Sequence, residues 1–551
     1  MEESDMKQTR AWWKEAVGYQ IYPRSFYDSN NDGIGDLNGI REKLPYLVDL
    51  GIDFIWINPI YDSPNVDNGY DISDYQGILS DFGTMEEFDL LLKEAHDCGI
   101  KIIMDLVINH SSDQHQWFIE SKKGLDNPYR DYYIWADGTP DTPPSNWESI
   151  FGGSIWSYDE QSQQYYMHVF AKEQPDLNWE NKTLKKEIFT MIEWWLEKGI
   201  DGFRLDAISH IKKASLDTTP KNHPFDPFMN VPGIEAHLEE LRDLFKKYDI
   251  MTVGEASGVS AQQAPKWVGE DGYFNMIFEF DHISLWNKEE TGKLDVVQLK
   301  NALSTWQTAL DKKGWNALYM ENHDVPRAVS AFGNDTIYWK ESAKAIAMMY
   351  FFLQGTPFIY QGQEIGMTNY PYTTIDEIDA VDSRAFYFRL LDEGKSVADA
   401  LRIVSKTTRD NSRTPMQWTD ERYAGFSEST PWMNVNPNKN KINVALQESD
   451  SSSILNFYKE LIAIRKKSET LVYGSYKLYL SEHPQVFIYE RILNSNRFLI
   501  MVNLSESPAN LRLPESLSDS SWSHVVGNSE QDSMLTSKII LSPYEAHLFK
   551  N

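Results

Sequence analysis

The chain has very little cysteine. Cys98 is the only one among 551 residues, so an intrachain disulfide is excluded. No apolar run approaches the ~18 residues of a membrane span. The first residues, Met1 to Asp5, are acidic and polar, unlike a secretory signal peptide. We therefore expect no membrane partner and a cytoplasmic location.

Positive charge is also scarce. The 52 Lys and Arg residues are outnumbered by 82 Asp and Glu residues, which gives a net charge of −30. Such a surface repels the phosphates of nucleic acid, so a nucleic-acid partner is not expected. Aromatic residues, in contrast, make up 13% of the chain. Their rings can stack on the flat apolar faces of sugars, which makes a small neutral oligosaccharide a compatible partner.

Short apolar runs alternate with longer amphipathic ones along most of the chain. Alternating strands and helices predict an α/β fold, a (β/α)8 TIM barrel with an outer ring of helices. An open doubly wound sheet is the alternative, but no Gly-x-Gly-x-x-Gly follows the first strand. The eight predicted strands are 18–26, 54–60, 101–109, 202–207, 251–256, 273–280, 317–321 and 357–361. The main predicted helices are 85–98, 184–198, 234–247, 296–312 and 337–353.

Two segments do not follow this alternation. Residues 111–180, after the third strand, are rich in Trp, Tyr, Gly, Pro and Asp. They are too many for plain coil in a compact domain, so we expect a small inserted domain. From residue 472 onward, short strands with polar turns predict a C-terminal antiparallel β-sandwich, 472–551. Residues 1–110 and 181–471 then form the two parts of the barrel.

Acidic residues stand where predicted barrel strands end. Arg204 and Asp206 alternate along one strand, so their side chains share a face. An arginine beside a carboxylate favours an ionised, oriented carboxylate, as nucleophilic attack on a sugar carbon requires. Glu255 and Asp324 fall at the ends of the fifth and seventh strands. Active sites of such barrels lie at this end, although one such acid alone is more often a surface carboxylate.

Several motifs resemble glycoside hydrolase family 13, the α-amylase family, over nearly the whole chain. They are Asp105-Leu-Val-Ile-Asn-His110, Gly202-Phe-Arg-Leu-Asp206, Val253-Gly-Glu255 and Glu321-Asn-His-Asp324. Two more, Gln174-Pro-Asp-Leu-Asn178 and the stretch from Arg409 to Trp418, are similar to the branch that holds oligo-1,6-glucosidase, α-glucosidase, dextran glucosidase and sucrose isomerase.

The resemblance implies roles for the three acids. Asp206 would be the nucleophile that forms a glycosyl-enzyme, and Glu255 the general acid and then the general base. Asp324 would hold sugar hydroxyls and favour the distorted, oxocarbenium-like state. A retaining mechanism of this kind needs two carboxyl groups about 5–5.5 Å apart. We expect Arg204 to lower the proton affinity of Asp206, and nearby negative charge to raise that of Glu255.

The resemblance also implies a pocket for one terminal glucose. His110 and His323 would donate hydrogen bonds to its hydroxyls. Asp67 would pair with Arg409 and close the pocket, with Arg413 as the competing choice. A closed pocket implies exo-action on short chains. The predicted substrate-binding residues are Asp67, Tyr70, His110, Phe170, Gln174, Arg204, Ala207, His323 and Arg409.

The loop after the first strand predicts a structural metal site. Oxygen ligands at alternate positions, with glycines for a sharp turn, suit a hard cation. We expect Ca²⁺, with Mg²⁺ as the second choice; an acidic turn with Asp caps is the alternative. The expected ligands are the side chains of Asp28, Asn30, Asp32 and Asp36 and the carbonyl of Ile34.

The residues after the nucleophile and the acid favour α-1,4 bonds. In the resembling enzymes a valine after the nucleophile is associated with α-1,6 preference, but here that residue is Ala207. Ala256 and Ser257 stand where α-1,6-selective relatives carry Thr-Trp. The prediction is a retaining exo-α-glucosidase for maltose and short maltooligosaccharides, with oligo-1,6-glucosidase as the alternative.

Other activities on the same pocket stay open. Sucrose isomerisation would require fructose to intercept the glucosyl-enzyme, and trehalose-6-phosphate hydrolysis would require cations such as Lys212 and Lys213 at the second subsite. A non-catalytic, transporter-associated chain is disfavoured because the set of acids is complete. We expect a monomer.

Overall fold

The computed structural model describes residues 10–286, 294–518, 521–529 and 535–551, and its centre is a closed parallel barrel. The strands are β1 Gly18–Ile21, β2 Phe54–Ile57, β3 Lys101–Val107, β4 Gly202–Asp206, β5 Met251–Glu255, β6 Met276–Phe278, β7 Ala317–Leu318 and β8 Thr356–Tyr360. Their order in the sheet is β6-β5-β4-β3-β2-β1-β8-β7. A parallel bridge between Ile277 and Asn316 joins the two outer strands, so the sheet closes. The predicted TIM barrel and its eight strands are confirmed.

Amphipathic helices cover the outside of the barrel. The helix Met85–Asp97 shows why they begin where they do, since Thr84 and Glu87 form a reciprocal capping box. Its buried residues, Phe88, Leu91, Leu92 and Ala95, repeat at helical spacing and face the sheet. The main barrel helices are Leu37–Glu42, Leu44–Leu50, Met85–Asp97, Lys182–Glu197, Glu235–Phe245, Val296–Leu310, Trp339–Phe351 and Ile454–Lys466.

The segment between β3 and β4 forms a small unit beside the barrel mouth. Its antiparallel sheet consists of Trp135–Ala136, Gln164–Met167 and Trp156–Asp159 in that order. The unit has its own hydrophobic cluster, formed by Trp147, Ile155, Trp156, Tyr165, Met167 and Val169 together with Phe228 from the segment after β4. The inserted unit is therefore anchored to the barrel segment that follows the predicted nucleophile.

A second insertion into the barrel follows β8. Two helices, Val381–Asp392 and Val397–Thr407, pack against each other, and we call them the helical hairpin. They share a small core of Tyr372, Ile378, Tyr387, Leu390, Ala400 and Val404. In the sequence this region is not distinguishable from the barrel segment 181–471 that contains it. The hairpin leads directly into the turn Arg409–Ser412.

The C-terminal region is an antiparallel β-domain. The strands Ser475–Tyr479, Val486–Leu493, Asn496–Asn503, Ala546–Lys550 and Ser523–Gly527 form one sheet in that order, and Ala509–Arg512 pairs with Lys538–Leu541. Over the described ranges, no helix is both long and apolar enough to cross a bilayer.

Candidate active site

Parallel strand register brings the motif residues to one end of the barrel. Asp105 on β3 lies directly opposite Arg204 on β4, and β5 beside them ends at Glu255. Asp206 is the last residue of β4. Because the strands run in the same direction, their carboxyl ends meet at one rim. Three carboxylates and one guanidinium therefore converge there.

Arg204 is the cation that these carboxylates share. Its Nη1 lies 2.9 Å from Asp105 Oδ1 and also contacts Asp206 Oδ1, while Nη2 lies 2.7 Å from Glu255 Oε2. Arg204, Asp105 and Asp206 are buried, and Glu255 is partly exposed. With all four groups ionised the cluster would carry a formal charge of −2, which favours retention of a proton.

The pKa of Asp206 differs from our expectation. Burial raises the pKa of the Asp206 carboxyl well above its usual value, although the Arg204 guanidinium lowers it; the charges of Glu255 and Asp105 add to the rise. Arg204 thus acts in the predicted direction, but desolvation is the larger effect.

The backbone next to Asp206 also holds Glu255. Ala207 has a left-handed conformation, φ 44°, and its N–H donates to Glu255 Oε2 at 3.1 Å. That oxygen already accepts from Arg204 Nη2. Because Oε2 faces two N–H donors, a proton on Glu255 belongs on Oε1. Oε1 is therefore the oxygen that can protonate a leaving group.

Asp324, in the segment after β7, is held as an anion by nearby donors. Arg413 Nη2 and Arg409 Nη1 lie 3.0 and 3.2 Å from its Oδ1, and His323 Nε2 lies 3.1 Å from Oδ2. Burial would raise the pKa of Asp324, but His323, Arg409 and Arg413 outweigh it and hold that pKa well below the usual value. Asp324 is thus a fixed hydrogen-bond acceptor.

Asp67 forms an ion pair with Arg409 and a hydrogen bond with Gln174. Arg409 Nη2 lies 2.7 Å from Asp67 Oδ1, and Gln174 Nε2 donates to Asp67 Oδ2 at 3.0 Å. Arg409 is therefore the partner of Asp67, while Arg413 contacts Asp324 instead. Asp67 joins two distant loops, the turn after β8 and the inserted unit.

His323 and Tyr70 belong to a buried hydrogen-bond network. Gln20 Nε2 donates to His323 Nδ1 at 2.8 Å, which assigns the ring proton to Nε2. Burial lowers the pKa of His323 well below its usual value, so the ring is neutral. Tyr70 stacks on His323 with ring centroids 5.3 Å apart and donates its hydroxyl to Asp105 Oδ2 at 3.0 Å. The network fixes both rings behind the carboxylates.

His110 lies beside the aromatic ring of Phe170. Its Nε2 donates to the Tyr70 carbonyl at 3.0 Å, so this donor is already used within the protein. Burial lowers the pKa of His110. Phe170 belongs to the inserted unit, and its ring centroid lies 5.1 Å from that of His110 and 5.5 Å from that of Phe151. The Phe151 ring also covers the Arg409 guanidinium, whose Cζ lies 5.2 Å from the ring centroid.

The structure thus brings all predicted catalytic and substrate-binding residues together, and adds some that the sequence analysis did not assign. Asp105 lies inside a motif already quoted, and its strand position opposite Arg204 was the available signal. Phe151 and Asp382, which contacts Arg409, had no comparable signal, because their loops lie far from the motifs in sequence.

The two lysines considered for a phosphate-bearing substrate are engaged elsewhere. Lys213 Nζ lies 2.7 Å from the buried Asp176 and donates to Asn109 Oδ1 at 2.8 Å. Lys212 pairs with Glu180. Both cations therefore tie the segment after β4 to the inserted unit and the residues that follow it.

The predicted metal ligands lie in one loop before the helix Leu37–Glu42. Asp28 accepts hydrogen bonds from Asn31, Gly33 and Ser427, and Asp36 caps the helix through Gly39. Burial raises the pKa of Asp36, and the charge of Asp28 adds to the rise. In the part of the chain that the structure describes, no group of three or more His, Cys, Asp or Glu side chains is arranged to hold a metal.

A closed parallel barrel with converging carboxylates at its carboxyl-end rim defines the class: the chain is a glycoside hydrolase. The family description "Alpha amylase, catalytic domain" matches residues 20–474, and "Maltogenic Amylase, C-terminal domain" matches residues 476–547. The chain therefore belongs to the α-amylase family, as the motifs predicted.

Relatives of known name align with most of the chain. A protein of Bacillus subtilis (strain 168) named probable oligo-1,6-glucosidase 3 is 51% identical over 98% of this chain and 99% of its own length. An α-glucosidase of Pediococcus pentosaceus is 48% identical over 87% of this chain and 89% of its own. The solved structure of a Bacillus licheniformis trehalose-6-phosphate hydrolase mutant superimposes with a TM-score of 0.94 at 40% identity, over 98% of this chain and all of the other.

Proposed function

We propose that the protein is a retaining exo-α-glucosidase that releases α-glucose from the non-reducing end of short α-glucosides. The observation that carries the proposal is that one guanidinium, Arg204, contacts both Asp206 and Glu255, while Arg409 contacts both Asp67 and Asp324. We infer that the Asp67–Arg409 pair closes a pocket at one end. Such a pocket accommodates a terminal sugar, whereas cleavage within a long chain requires an open cleft.

The chemistry takes two displacements. An Asp206 oxygen attacks the anomeric carbon, the bond from that carbon to the glycosidic oxygen breaks, and the proton on Glu255 Oε1 moves to the departing oxygen. Water then attacks the anomeric carbon and gives a proton to Glu255, while the bond to Asp206 breaks. Two inversions return the α-anomer. Asp324, held as an anion, stabilises positive charge that develops on the ring.

We propose α-1,4 bonds as the preferred substrate linkage. The small Ala207 side chain in a left-handed conformation, next to Ala256, supports room for the second sugar of maltose. A second candidate, oligo-1,6-glucosidase activity, is supported by the names of several relatives. Trehalose-6-phosphate hydrolysis has less support because Lys212 and Lys213 already pair with acids.

The test is glucose release from maltose by three variants. Asp206→Ala and Glu255→Gln should each lower kcat/KM by about a thousandfold or more, because each removes a group that bonds to a reacting atom. Asp243→Asn, an exposed carboxylate paired with Arg242 on the surface, is the control and should match the wild type. Proton NMR should show α-glucose first; β-glucose as the initial product would exclude retention.

A panel of maltose, maltotriose, isomaltose, sucrose, trehalose and trehalose 6-phosphate tests the linkage. Maltose should have the highest kcat/KM among the disaccharides. If isomaltose is cleaved much faster than maltose, the second candidate function replaces the first, and the mechanism above is unchanged.

A further inference from the structure

The first turn of the helical hairpin reaches the closed end of the pocket. Asp382, the second residue of the helix Val381–Asp392, accepts a hydrogen bond from Arg409 Nε at 2.8 Å. Its side chain is a third exposed. Asp382 lies outside every motif that the sequence analysis used, and no step of the proposed mechanism involves it.

Arg409 uses each of its three nitrogens on a different carboxylate. Nε contacts Asp382, Nη1 lies 3.2 Å from Asp324, and Nη2 lies 2.7 Å from Asp67. A guanidinium is planar and presents its donors in a fixed fork. A contact at Nε therefore limits rotation of the plane and determines where the Nη1 and Nη2 edges point.

The element that carries Asp382 is itself anchored. The backbone N–H groups of Asp379 and Ala380 donate to Asp410 Oδ2 at 2.7 and 3.0 Å, so the start of the helix is tied to the residue that follows Arg409. On its other face, the Arg409 guanidinium is covered by the Phe151 ring at 5.2 Å. Arg409 is thus held at one edge by Asp382 and at one face by Phe151.

The two pocket carboxylates depend on Arg409 to different degrees. Asp324 also contacts Arg413 Nη2 at 3.0 Å, and Arg413 is fixed by its hydrogen bond to the His323 carbonyl. Asp67 receives side-chain donors from Arg409 and from Gln174. A change in the orientation of Arg409 would therefore disturb Asp67, at the closed end, more than Asp324, at the reacting end.

We propose that Asp382 is a positioning residue for sugar binding: through Arg409 Nε it holds the Asp67–Arg409 pair in the orientation that receives the terminal sugar. The proposal rests on the proposed function, because it assigns Asp67 and Arg409 to the sugar-binding end of that pocket. Asp382 itself acts through Arg409 and does not take part in the bond-breaking steps.

The experiment compares Asp382→Ala and Asp382→Asn with the wild type. Asp392→Asn, an exposed carboxylate at the far end of the same helix, is the control. The measurements are kcat and KM for p-nitrophenyl α-glucoside, the inhibition constant of free glucose, and Tm. The aryl substrate reports on the terminal sugar without depending on the linkage preference.

Asp382→Ala should raise KM and the glucose inhibition constant together, each by about tenfold, with kcat within threefold of the wild type. Asp382→Asn keeps an oxygen that can accept a hydrogen bond from Arg409 Nε. Its KM and glucose inhibition constant should therefore stay close to those of the wild type. Tm should change little in both, and Asp392→Asn should be unchanged.

Three results would overturn the proposal. They are a wild-type KM and glucose inhibition constant in Asp382→Ala, a decrease confined to kcat, or the same increase in KM and the inhibition constant in the Ala and Asn variants. These outcomes are distinct from failure of the proposed function, in which wild-type protein would neither cleave the aryl glucoside nor be inhibited by glucose.

Discussion

At residue 207 a small side chain coincides with an unusual backbone conformation. Ala207 has φ 44° and ψ 33°, and its N–H points at Glu255 Oε2. The left-handed region disfavours side chains with a Cβ, and β-branched ones most strongly. Residue 207 thus contributes to the orientation of Glu255.

This geometry predicts the effect of enlarging residue 207. Ala207→Val should lower kcat/KM for maltose and raise the isomaltose-to-maltose ratio by about tenfold, because the branched side chain fills the subsite and strains the turn. Ala207→Gly adds no bulk, and glycine adopts the left-handed conformation without strain. Its isomaltose-to-maltose ratio should therefore stay near that of the wild type. Initial rates on both disaccharides provide the measurement. A ratio that is the same in all three proteins would show that position 207 does not govern linkage.

Sequence reasoning placed the motif residues well because strand alternation and strand ends are local features. Arg204 and Asp206 share a face by periodicity alone, and Glu255 had only to end a neighbouring strand. The net pKa of Asp206 was not accessible in this way, since it depends on burial and on the charge of Asp105 from another strand. Hydrogen-bond direction at His110 was equally inaccessible, because its acceptor is the Tyr70 carbonyl.

At the scale of elements, the helical hairpin was the feature that the sequence did not reveal. Its amphipathic helices resemble any barrel helix in pattern, and its core of six residues is small. Only the three-dimensional contacts distinguish it: Asp382 reaches Arg409, and Asn68 Nδ2 donates to Asp379 at 3.3 Å. An element that shapes the pocket can therefore share the sequence pattern of one that only covers the barrel.

The loop 28–36 gives a prediction at the same scale. We propose that it binds Ca²⁺, on the support of its alternating oxygens and the repulsion between Asp28 and Asp36. A cation at 100 times its dissociation constant would add about 2.7 kcal/mol of stability. Chelation with EDTA should therefore lower Tm, and added Ca²⁺ should restore it.

The control for this prediction is Asp126→Ala, at an exposed position in another loop, which should keep the response to EDTA. Asp32→Ala should abolish the response of Tm to EDTA, with little change in kcat at low temperature. An identical Tm with and without EDTA in protein shown by metal analysis to carry Ca²⁺ at purification would contradict a stabilising calcium site.

At the scale of the whole molecule, the C-terminal sheet is buried on both faces. Along the strand Val486–Leu493, Phe487 and Tyr489 join the main core with the barrel helices, whereas Val486 and Ile488 join a second core within the C-terminal domain. This period of two is what a strand with two covered faces requires. The barrel and the C-terminal domain therefore share one continuous core.

Arg491 connects these two parts. It is buried and donates hydrogen bonds to the carbonyls of Phe352, Leu471, Val472 and Gly474. Burial lowers its pKa to about 10, so it stays a cation at neutral pH. Arg491→Met would retain most of the volume but leave buried carbonyls without donors, at a cost of about 3 kcal/mol.

Urea unfolding followed by circular dichroism is the measurement for Arg491→Met. The variant should unfold at lower urea, or in two steps if the C-terminal domain separates first, since the hydrogen bonds across the shared core are lost. Arg512→Met, on an exposed position of a C-terminal strand, should unfold like the wild type. Glucose release below the transition should be unaffected in both, because Arg491 lies outside the pocket. Equal stability of Arg491→Met and wild type would mean that apolar packing alone holds the domain on the barrel.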